Sequence, residues 1–421
     1  MPRLKFGAFL APHHPLGEHP TLMLRRDLAL ASQLDELGFD EFWVGEHHSS
    51  GWETIASPEM FLAVAGERTA RIKLGTGVVS LPYHHPFNVA QRIVQLDHMT
   101  RGRAMFGTGP GALPSDARTF GISPLVLRDR QDEALGIIIR LLEGEDRFSY
   151  TSDWFELHDA ALQILPVQER VPMATASSIS PSGMKIAGKY GIGVLSIASN
   201  SLEGLQALPT QWGFAEESAR QHGKTVDRKD WRVLMAWHLA ETREQARQEA
   251  VQGLHRWHNE YNVRVLGRPD AVHVEDQWAL MDQVAGGEAV GGGAAVVGTP
   301  DDMVAAITSL YDKVGGFGVV LGFAHDWANR EATARSWELF GRYVIPALNR
   351  LTRGLQESAD YLEANKADLM GGAVNAIIQQ IARDPKAAEA MAVTMAQRAA
   401  AGGAQPAIGT AAGAALPDMP A

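Results

Sequence analysis

The sequence predicts an α/β fold: a (β/α)8 barrel of the TIM type with insertions and a helical C-terminal tail. Three observations predict it. Strand-like and helix-like segments alternate from residue 4 to about residue 350, eight of the strand-like segments each precede at least one helix, and glycine or proline punctuates the boundaries. Alternation implies a parallel sheet covered by helices, and eight units imply closure into a barrel. A doubly wound open sheet is the alternative that the pattern leaves standing.

The first strand covers residues 4–10 and leads to an amphipathic helix over 21–37, stopped at Gly38. Strands over 40–44, 72–77 and 103–107 follow, separated by helices over 57–69 and about 86–100. A helix over 128–143 ends at Gly144. The rhythm resumes with strand 171–176, helix 181–190, strand 192–197, helix 202–222 and strand 231–240. Helices near 243–262 and 300–314, strand 317–322 and helix 330–348 close the series. Apolar spacing defines each segment, and Ser, Thr or Pro before a helix and Gly after it set the limits.

Three stretches break the alternation. Residues 145–170, with Tyr150, Trp154, Phe155 and His158, read as a hairpin or loop excursion. Residues 266–298 end in the glycine-rich run from Gly286 to Gly293, which reads either as a lid near the barrel mouth or as a disordered insertion. Beyond Leu351, Ala-rich helical pieces over 373–383 and 386–398 run into a low-complexity end over 399–421. The expected organisation is a barrel over 1–350 and an Ala/Gly-rich extension over 351–421.

Bulk properties narrow the function. The chain has 421 residues, a net charge of -11, 45% hydrophobic and 21% charged residues, which is ordinary for a globular enzyme. The acidic balance argues against a nucleic-acid surface. With no cysteine, disulfides, thiolate metal sites, Fe–S clusters and a cysteine nucleophile are excluded. The N-terminal residues lack the apolar stretch of a signal peptide and no run is long enough to span a membrane, so a cytoplasmic enzyme is expected.

Active sites of barrels collect at the C-terminal ends of the strands. There stand Glu46-His47-His48 after the second strand, then Thr76-Gly77-Val78 and Tyr83-His84-His85-Pro86 after the third. Gly107-Thr108-Gly109-Pro110-Gly111 follows the fourth, and Ser180-Pro181-Ser182-Gly183 the fifth. A strand-end histidine is most often a hydrogen-bonded structural residue. Three pairs, His13-His14, His47-His48 and His84-His85, raise the question of metal. The His-Glu-x-x-His arrangement is absent, and adjacent strand residues point to opposite faces, so no catalytic metal is expected. Gly107-x-Gly109-x-x-Ala112 imitates a dinucleotide fingerprint, but Pro110 and Pro114 stand where the helix must start. Its glycines would instead permit close approach to a flat or phosphorylated ligand. The serine loop opening the helix at Pro181 reads as a phosphate site or, more simply, as a helix N-cap.

Taken in order along residues 4–350, several motifs carry a resemblance. They are Phe6-Gly7-x-Phe9, Gly38-Phe39-Asp40-x-x-Trp43-x-x-Glu46-His47-His48, and Gly75-Thr76-Gly77-Val78-x-x-Leu81-Pro82-x-x-His85-Pro86. Leu96-Asp97-x-Met99-x-x-Gly102-Arg103-x-x-Phe106-Gly107 and Val297-Gly298-Thr299-Pro300 complete the set. The ordered set resembles the bacterial-luciferase-like flavin-dependent monooxygenases. Within them Trp52-Glu53-x-x-x-x-Pro58-Glu59, Ser180-Pro181-Ser182-Gly183-Met184-x-x-Ala187-Gly188 and Phe323-Ala324-His325-Asp326 resemble the limonene 1,2-monooxygenase and diketocamphane monooxygenase branch.

The resemblance implies reduced FMN (FMNH2) at the mouth, its phosphate near Ser180, Ser182, Gly183 and Met184, with Thr76, Gly77, Val78, Gly109 and Arg128 as further cofactor contacts. It implies O2 addition at the flavin C4a carbon and oxygenation of a small apolar organic substrate, by alkene epoxidation or Baeyer–Villiger oxidation. It assigns the flavin-side histidine to His47, with Glu46 and His48 beside it, and a substrate pocket including Phe9, His13, Trp52 and Tyr83. It implies a cis peptide between Gly77 and Val78, a separate NAD(P)H-flavin reductase, and a homodimer through the helices over 57–69 and 86–100. The apolar residues offered for that interface are Phe61, Leu62, Val64 and Ala65, then Val89, Ala90, Ile93, Val94 and Leu96. One departure stands out: where luciferases carry an arginine for the phosphate, this chain has Pro110, leaving Arg128 or Arg130 nearest in sequence. A deazaflavin (F420)-dependent oxidoreductase and a non-catalytic flavin-binding protein are the alternatives on the same barrel.

Overall fold

The alternation read from the sequence closes into a ring. The computed structural model describes all residues except 1, 12, 198–200, 269–270, 287–292 and 401–421. Strand β1 (Lys5–Leu10) leads through α1 (Pro20–Glu36) to β2 (Glu41–Val44), then through α2 (Pro58–Arg68) to β3 (Lys73–Thr76) and its short continuation β4 (Val79–Ser80). Next come α3 (Pro86–Met99), β5 (Ala104–Gly109), α4 (Pro114–Thr119), α5 (Leu127–Leu142), the antiparallel hairpin β6 (Phe148–Thr151) with β7 (Glu156–Ala160), and β8 (Met173–Ser177). After α6 (Ser182–Tyr190), β9 (Gly193–Ser196) and α7 (Leu202–Gln221) stands the long β10 (Trp231–Leu239). Helix α8 (Arg243–Arg256) runs into a π-helical stretch, Trp257–Val265, before α9 (Gln277–Ala285), β11 (Ala295–Gly298), α10 (Pro300–Val314) and β12 (Val319–Ala324). Helix α11 (Arg330–Leu339), a π turn (Phe340–Val344) and α12 (Ile345–Asn349) complete one compact unit, Met1–Asn349. Helices α13 (Arg353–Arg383) and α14 (Pro385–Ala400) belong to a second unit, Arg350–Ala421.

Strands β1, β2, β3, β5, β8, β9, β10 and β12 pair in parallel around a closed barrel, which holds all eight predicted strands. Side chains alternate as a strand requires. Phe9, Trp43, Met105, Ala174, Leu195, Leu234, Leu321 and Phe323 belong to the inner cluster, whereas Phe6, Phe42, Leu74, Phe106, Val194, Val233 and Val320 belong to the layer under the helices. Trp43 dominates the interior and explains two motif glycines. A Cβ on Gly75 would lie 2.4 Å from its ring, and one on Gly107 would lie 3.0 Å from it and 2.1 Å from the Thr76 carbonyl. Below Trp43, Arg232 donates to both oxygens of buried Glu41 (2.6 and 2.9 Å), and the Trp43 indole N–H donates to the same carboxylate at 2.8 Å. This knot closes the N-terminal end of the barrel.

The Leu-Asp-x-Met-x-x-Gly-Arg motif turns out to be structural. Buried Asp97 accepts from the Val167 and Gln168 amides, and Arg103 donates to carbonyls of Gly66, Ile72 and Thr100. The described part of the 266–298 stretch contains a helix and a strand. Asp276 caps α9, which buries Leu280, Met281 and Ala285 and stops at Gly286 with φ of 81°. Strand β11 then pairs with the upper half of β10, from Ala236↔Ala295 to Leu239↔Gly298. The centre of the glycine run lies outside the described residues.

The apolar residues offered for a dimer interface are mostly core. Phe61, Leu62, Ala65, Val89, Ala90, Ile93, Val94 and Leu96 are buried within the single chain. The exposed apolar residues of these helices are Met60 (72%), Val64 (45%) and Met99 (45%). Reading circumference from sequence overcounted the surplus, because each of these helices packs against both the barrel and its neighbours.

Candidate active site

Three loops bring carboxylates and histidines to the C-terminal mouth. The chain continues β2 with Gly45, and the next residue of inward parity is His47. Its Nδ1 lies 3.0 Å from Asp116 Oδ2 on α4, and its Nε2 lies 3.4 Å from Glu53 Oε1. Glu53 also meets His13 Nε2 at 3.1 Å and accepts from the Tyr261 hydroxyl at 2.5 Å. An isolated antiparallel bridge between His13 and Glu53 locks the backbones that present them. Asp116 further accepts from the Ser49 hydroxyl and from the His48 amide at 3.1 Å. Burial alone would push the His47 imidazole down, but the charges of Glu53 and Asp116 outweigh it and raise it above the ordinary value. Burial would likewise raise Glu53, yet His13 and His47 hold it at about 2.

Glu46 and His48 face away from that cluster, as strand parity demands. Glu46 Oε1 accepts from His48 (2.8 Å) and His84 (2.7 Å), and Oε2 from the Ser80 amide (2.9 Å). Against burial, which would raise it, these hydrogen bonds hold the carboxyl at about 2. This trio ties the end of β2 to β4 and the loop before α3. His85 caps α3 through the Phe87 amide, and His14 is pinned behind the barrel wall by Asp27 (2.9 Å) and Asp326 (2.8 Å). Of the three pairs, His13 and His47 join the Glu53 cluster, while His48 and His84 share Glu46 and His14 and His85 hold other parts of the chain. Among the described residues no group of three or more His, Asp or Glu is arranged to hold a metal ion.

The expected substrate residues divide. His13 lies 4.5 Å from the Tyr261 ring and 5.3 Å from Phe323, and Trp52 lies 5.3 Å from Tyr261. Phe9 lines the interior beneath Gly77, where a Cβ would lie 3.1 Å from its ring. Tyr83 belongs to a different patch, stacked on Phe120 at 4.8 Å and 6.1 Å from His48.

The expected cofactor residues also divide. The peptide between Gly77 and Val78 is cis, as expected. Gly109 packs against Val78, with a Cβ there 2.5 Å from its Cγ2. The Thr76 hydroxyl, however, bridges the Gly107 amide and carbonyl at 2.9 Å, stitching β3 to β5. Gly183 lets the first turn of α6 sit directly on β8, since a Cβ would lie 2.2 Å from the Ala176 carbonyl. The Ser180 and Ser182 hydroxyls are 2.9 Å apart on that turn, and Met184 is buried beneath it. Arg128 is exposed on α5, while Arg130 stacks 5.0 Å over Trp154 with its Nε buried and unpartnered.

Sequence reasoning passed over Asp116, Glu53, Tyr261 and His84 as site residues. Pro114-Ser115-Asp116 is a helix-opening signature that would have exposed α4. Nothing local marks Tyr261, whose π-helical backbone sets its direction. π-Helical turns are enriched at functional sites.

The profile of the luciferase-like monooxygenases matches residues 4–316. This chain belongs to that family. The monooxygenase is 49% identical over 363 residues to 4-hydroxyprotoasukamycin monooxygenase of Streptomyces nodosus subsp. asukaensis, covering 85% of this chain and 96% of the relative. It is 46% identical over 349 residues to limonene 1,2-monooxygenase of Rhodococcus erythropolis, covering 82% and 87%. Among solved structures, the oxygenating constituent of 3,6-diketocamphane monooxygenase of Pseudomonas putida, a type II Baeyer–Villiger monooxygenase in complex with FMN, shares the fold. The TM-score is 0.68 at 24% identity, covering 82% of the monooxygenase and 98% of that chain. The branch read from the motifs is thus the one in which its relatives lie.

Proposed function

We propose that this monooxygenase uses reduced FMN and O2 to oxygenate a small, largely apolar organic substrate, by alkene epoxidation or Baeyer–Villiger oxidation. The observation that carries the reading is the His47–Glu53–His13–Tyr261 cluster standing at the mouth beside a wall fit for a flat ring. That wall consists of Val78 after the cis peptide, which covers Gly109, and of Ala176, both half-buried, leading to the first turn of α6. The Ser177 hydroxyl is buried there without a partner, and no acidic residue stands in that first turn. Helix N-terminal amides with nearby hydroxyls suit a phosphate, so Ser180, Ser182, Gly183 and Met184 fit the FMN phosphate. When bound, reduced FMN supplies the electrons and activates O2. The protein's tasks are to hold the ring against the small wall, to exclude water with Trp52, Tyr261 and Phe323, and to govern protons at His47.

The same reading includes a separate NAD(P)H-flavin reductase as electron source, a cytoplasmic setting and a homodimer through α2 and α3. Among the described residues no helix is long and apolar enough to cross a membrane. The test is O2 consumption by the full-length protein with FMN, NADH and an added flavin reductase, using limonene as the first alkene because a close relative bears its name. Incorporation of one atom of labelled O2 into product supports the reading. Hydride transfer to a deazaflavin without O2 uptake would assign the barrel to dehydrogenation, and flavin binding without turnover would assign it to storage.

A further inference from the structure

His47 has neighbours on both sides that no residue role yet explains. Asp116 is on α4, a two-turn helix whose Pro114 start fits the first helical position. Its carboxylate is nearly inaccessible and is spent entirely on the His47 region: Oδ2 on the ring, Oδ1 on the His48 amide and the Ser49 hydroxyl. Glu53 stands on the opposite side of the ring and is equally enclosed. It takes a hydroxyl from the π-helical stretch and an imidazole from the loop after β1. A histidine with one acceptor-only group at each nitrogen is most stable with a proton on both.

We infer that Asp116 and Glu53 are positioning residues that clamp His47 from both ring nitrogens, so that it meets the flavin and oxygen as an oriented imidazolium, a proton donor rather than a base. The inference rests on the flavin-oxygenation reading of this site. Asp116, at the shorter distance, fixes the ring plane and keeps the Nδ1 proton. Glu53, at 3.4 Å, is the looser contact, so Nε2 is the end that a bound ligand can compete for. Glu53 is in turn restrained by Tyr261 on its other oxygen and by His13, which hold its carboxylate in place. The charged and titratable groups that face the ring are Asp116 from α4 and Glu53 from the chain after β2; Glu46 points the other way and adds only its charge, and His13 and Tyr261 stand behind Glu53. Glu53, Asp116 and Glu46 all act on the ring in the same direction, so the field at His47 is negative and favours its cation.

The experiment uses full-length protein with ring-labelled histidine, comparing wild type with Asp116→Asn, Glu53→Gln and Asp116→Glu. NMR titration of the His47 ring nitrogens is the primary readout and needs no turnover. In wild type the ring should stay doubly protonated well above the ordinary histidine range, and in Asp116→Asn and Glu53→Gln it should titrate back towards it. Asp116→Glu, which restores the charge, should recover most of the wild-type behaviour. Circular dichroism separates this from misfolding, since a folded variant with an unmoved His47 titration refutes the clamp. The second readout is the ratio of oxygenated product to H2O2 against pH. Its alkaline fall should move to lower pH in the two neutral variants. If wild type forms no product with reduced FMN and O2, the functional reading fails, while the NMR result still decides whether the clamp exists.

Discussion

At the scale of single residues, the site depends on a few side chains whose environment sets their chemistry. His47→Ala should bind reduced FMN nearly as wild type yet lose coupled product by about 100-fold or more, releasing H2O2 instead. Product yield and peroxide, measured together, check this; an unchanged yield would end the catalytic role given to His47. Gly183 is a sterner case. An alanine there drives its Cβ against the Ala176 carbonyl at 2.2 Å, and both partners are backbone, so neither yields cheaply. Gly183→Ala should cost roughly 1–3 kcal/mol in a urea melt and weaken FMN binding more than it weakens folding. Equal FMN affinity in that variant would move the phosphate away from α6.

At the scale of elements, the barrel is held at its two ends by different means. The closed end relies on one buried ion pair between β2 and β10, sealed under Trp43. Removing one partner of such a pair leaves an unmatched buried charge. Arg232→Met should therefore destabilise the protein by about 3–5 kcal/mol, read by chemical denaturation. Replacing Glu41 by glutamine in the same chain should return part of the loss, because the orphaned charge is then gone. The open end is held by short pieces that depend on their contacts: α4, the π-helical stretch and the two-residue strand β4. Each delivers one group, Asp116, Tyr261 or Ser80, to a histidine-bearing loop.

At the scale of the whole molecule, the clamped carboxylates and histidines make stability depend on pH from both sides. Glu46 and Glu53 are held at about 2 against an ordinary 4.5. Their folded values lie below the unfolded ones, so their contribution is full above about pH 4.5 and is lost as pH falls towards 2. His14 runs the other way. Burial would lower it, but Asp27 and Asp326 outweigh that and raise it from 6.5 to about 9. Its contribution is full below about pH 6.5 and is lost as pH rises through about 9. The urea midpoint should thus be highest between these limits and decline on both sides, and a midpoint that climbs from neutral to pH 10 would contradict the His14 arrangement. Assembly is the other property of this scale. Light scattering on the full chain should give a dimer at micromolar concentration, and Met60→Lys with Val64→Lys should dissociate it without unfolding the barrel. A monomeric wild type would refute the pairing.

The sequence by itself determined the barrel, because each strand and helix announces itself through spacing that is local: apolar alternation, a capping residue, a terminal glycine. It also pointed to the strand ends as the place of the candidate site, since these follow from the strands, and the resemblance carried by contiguous motifs implied the cis dipeptide that the structure has. The motif that carries Asp97 and Arg103 marks the family through residues that hold loops, and Thr76, expected at the cofactor, has its hydroxyl on the Gly107 backbone. The resemblance singles out His47, but tertiary structure alone decided that His13 rather than His14 joins its cluster, because that depends on the path of the loop after β1. It alone brought Asp116, Glu53 and Tyr261 to His47, residues separated by up to 208 positions between Glu53 and Tyr261. No spacing rule links such residues: their meeting is fixed by barrel closure, which places the ends of distant strands within a hydrogen bond of one another.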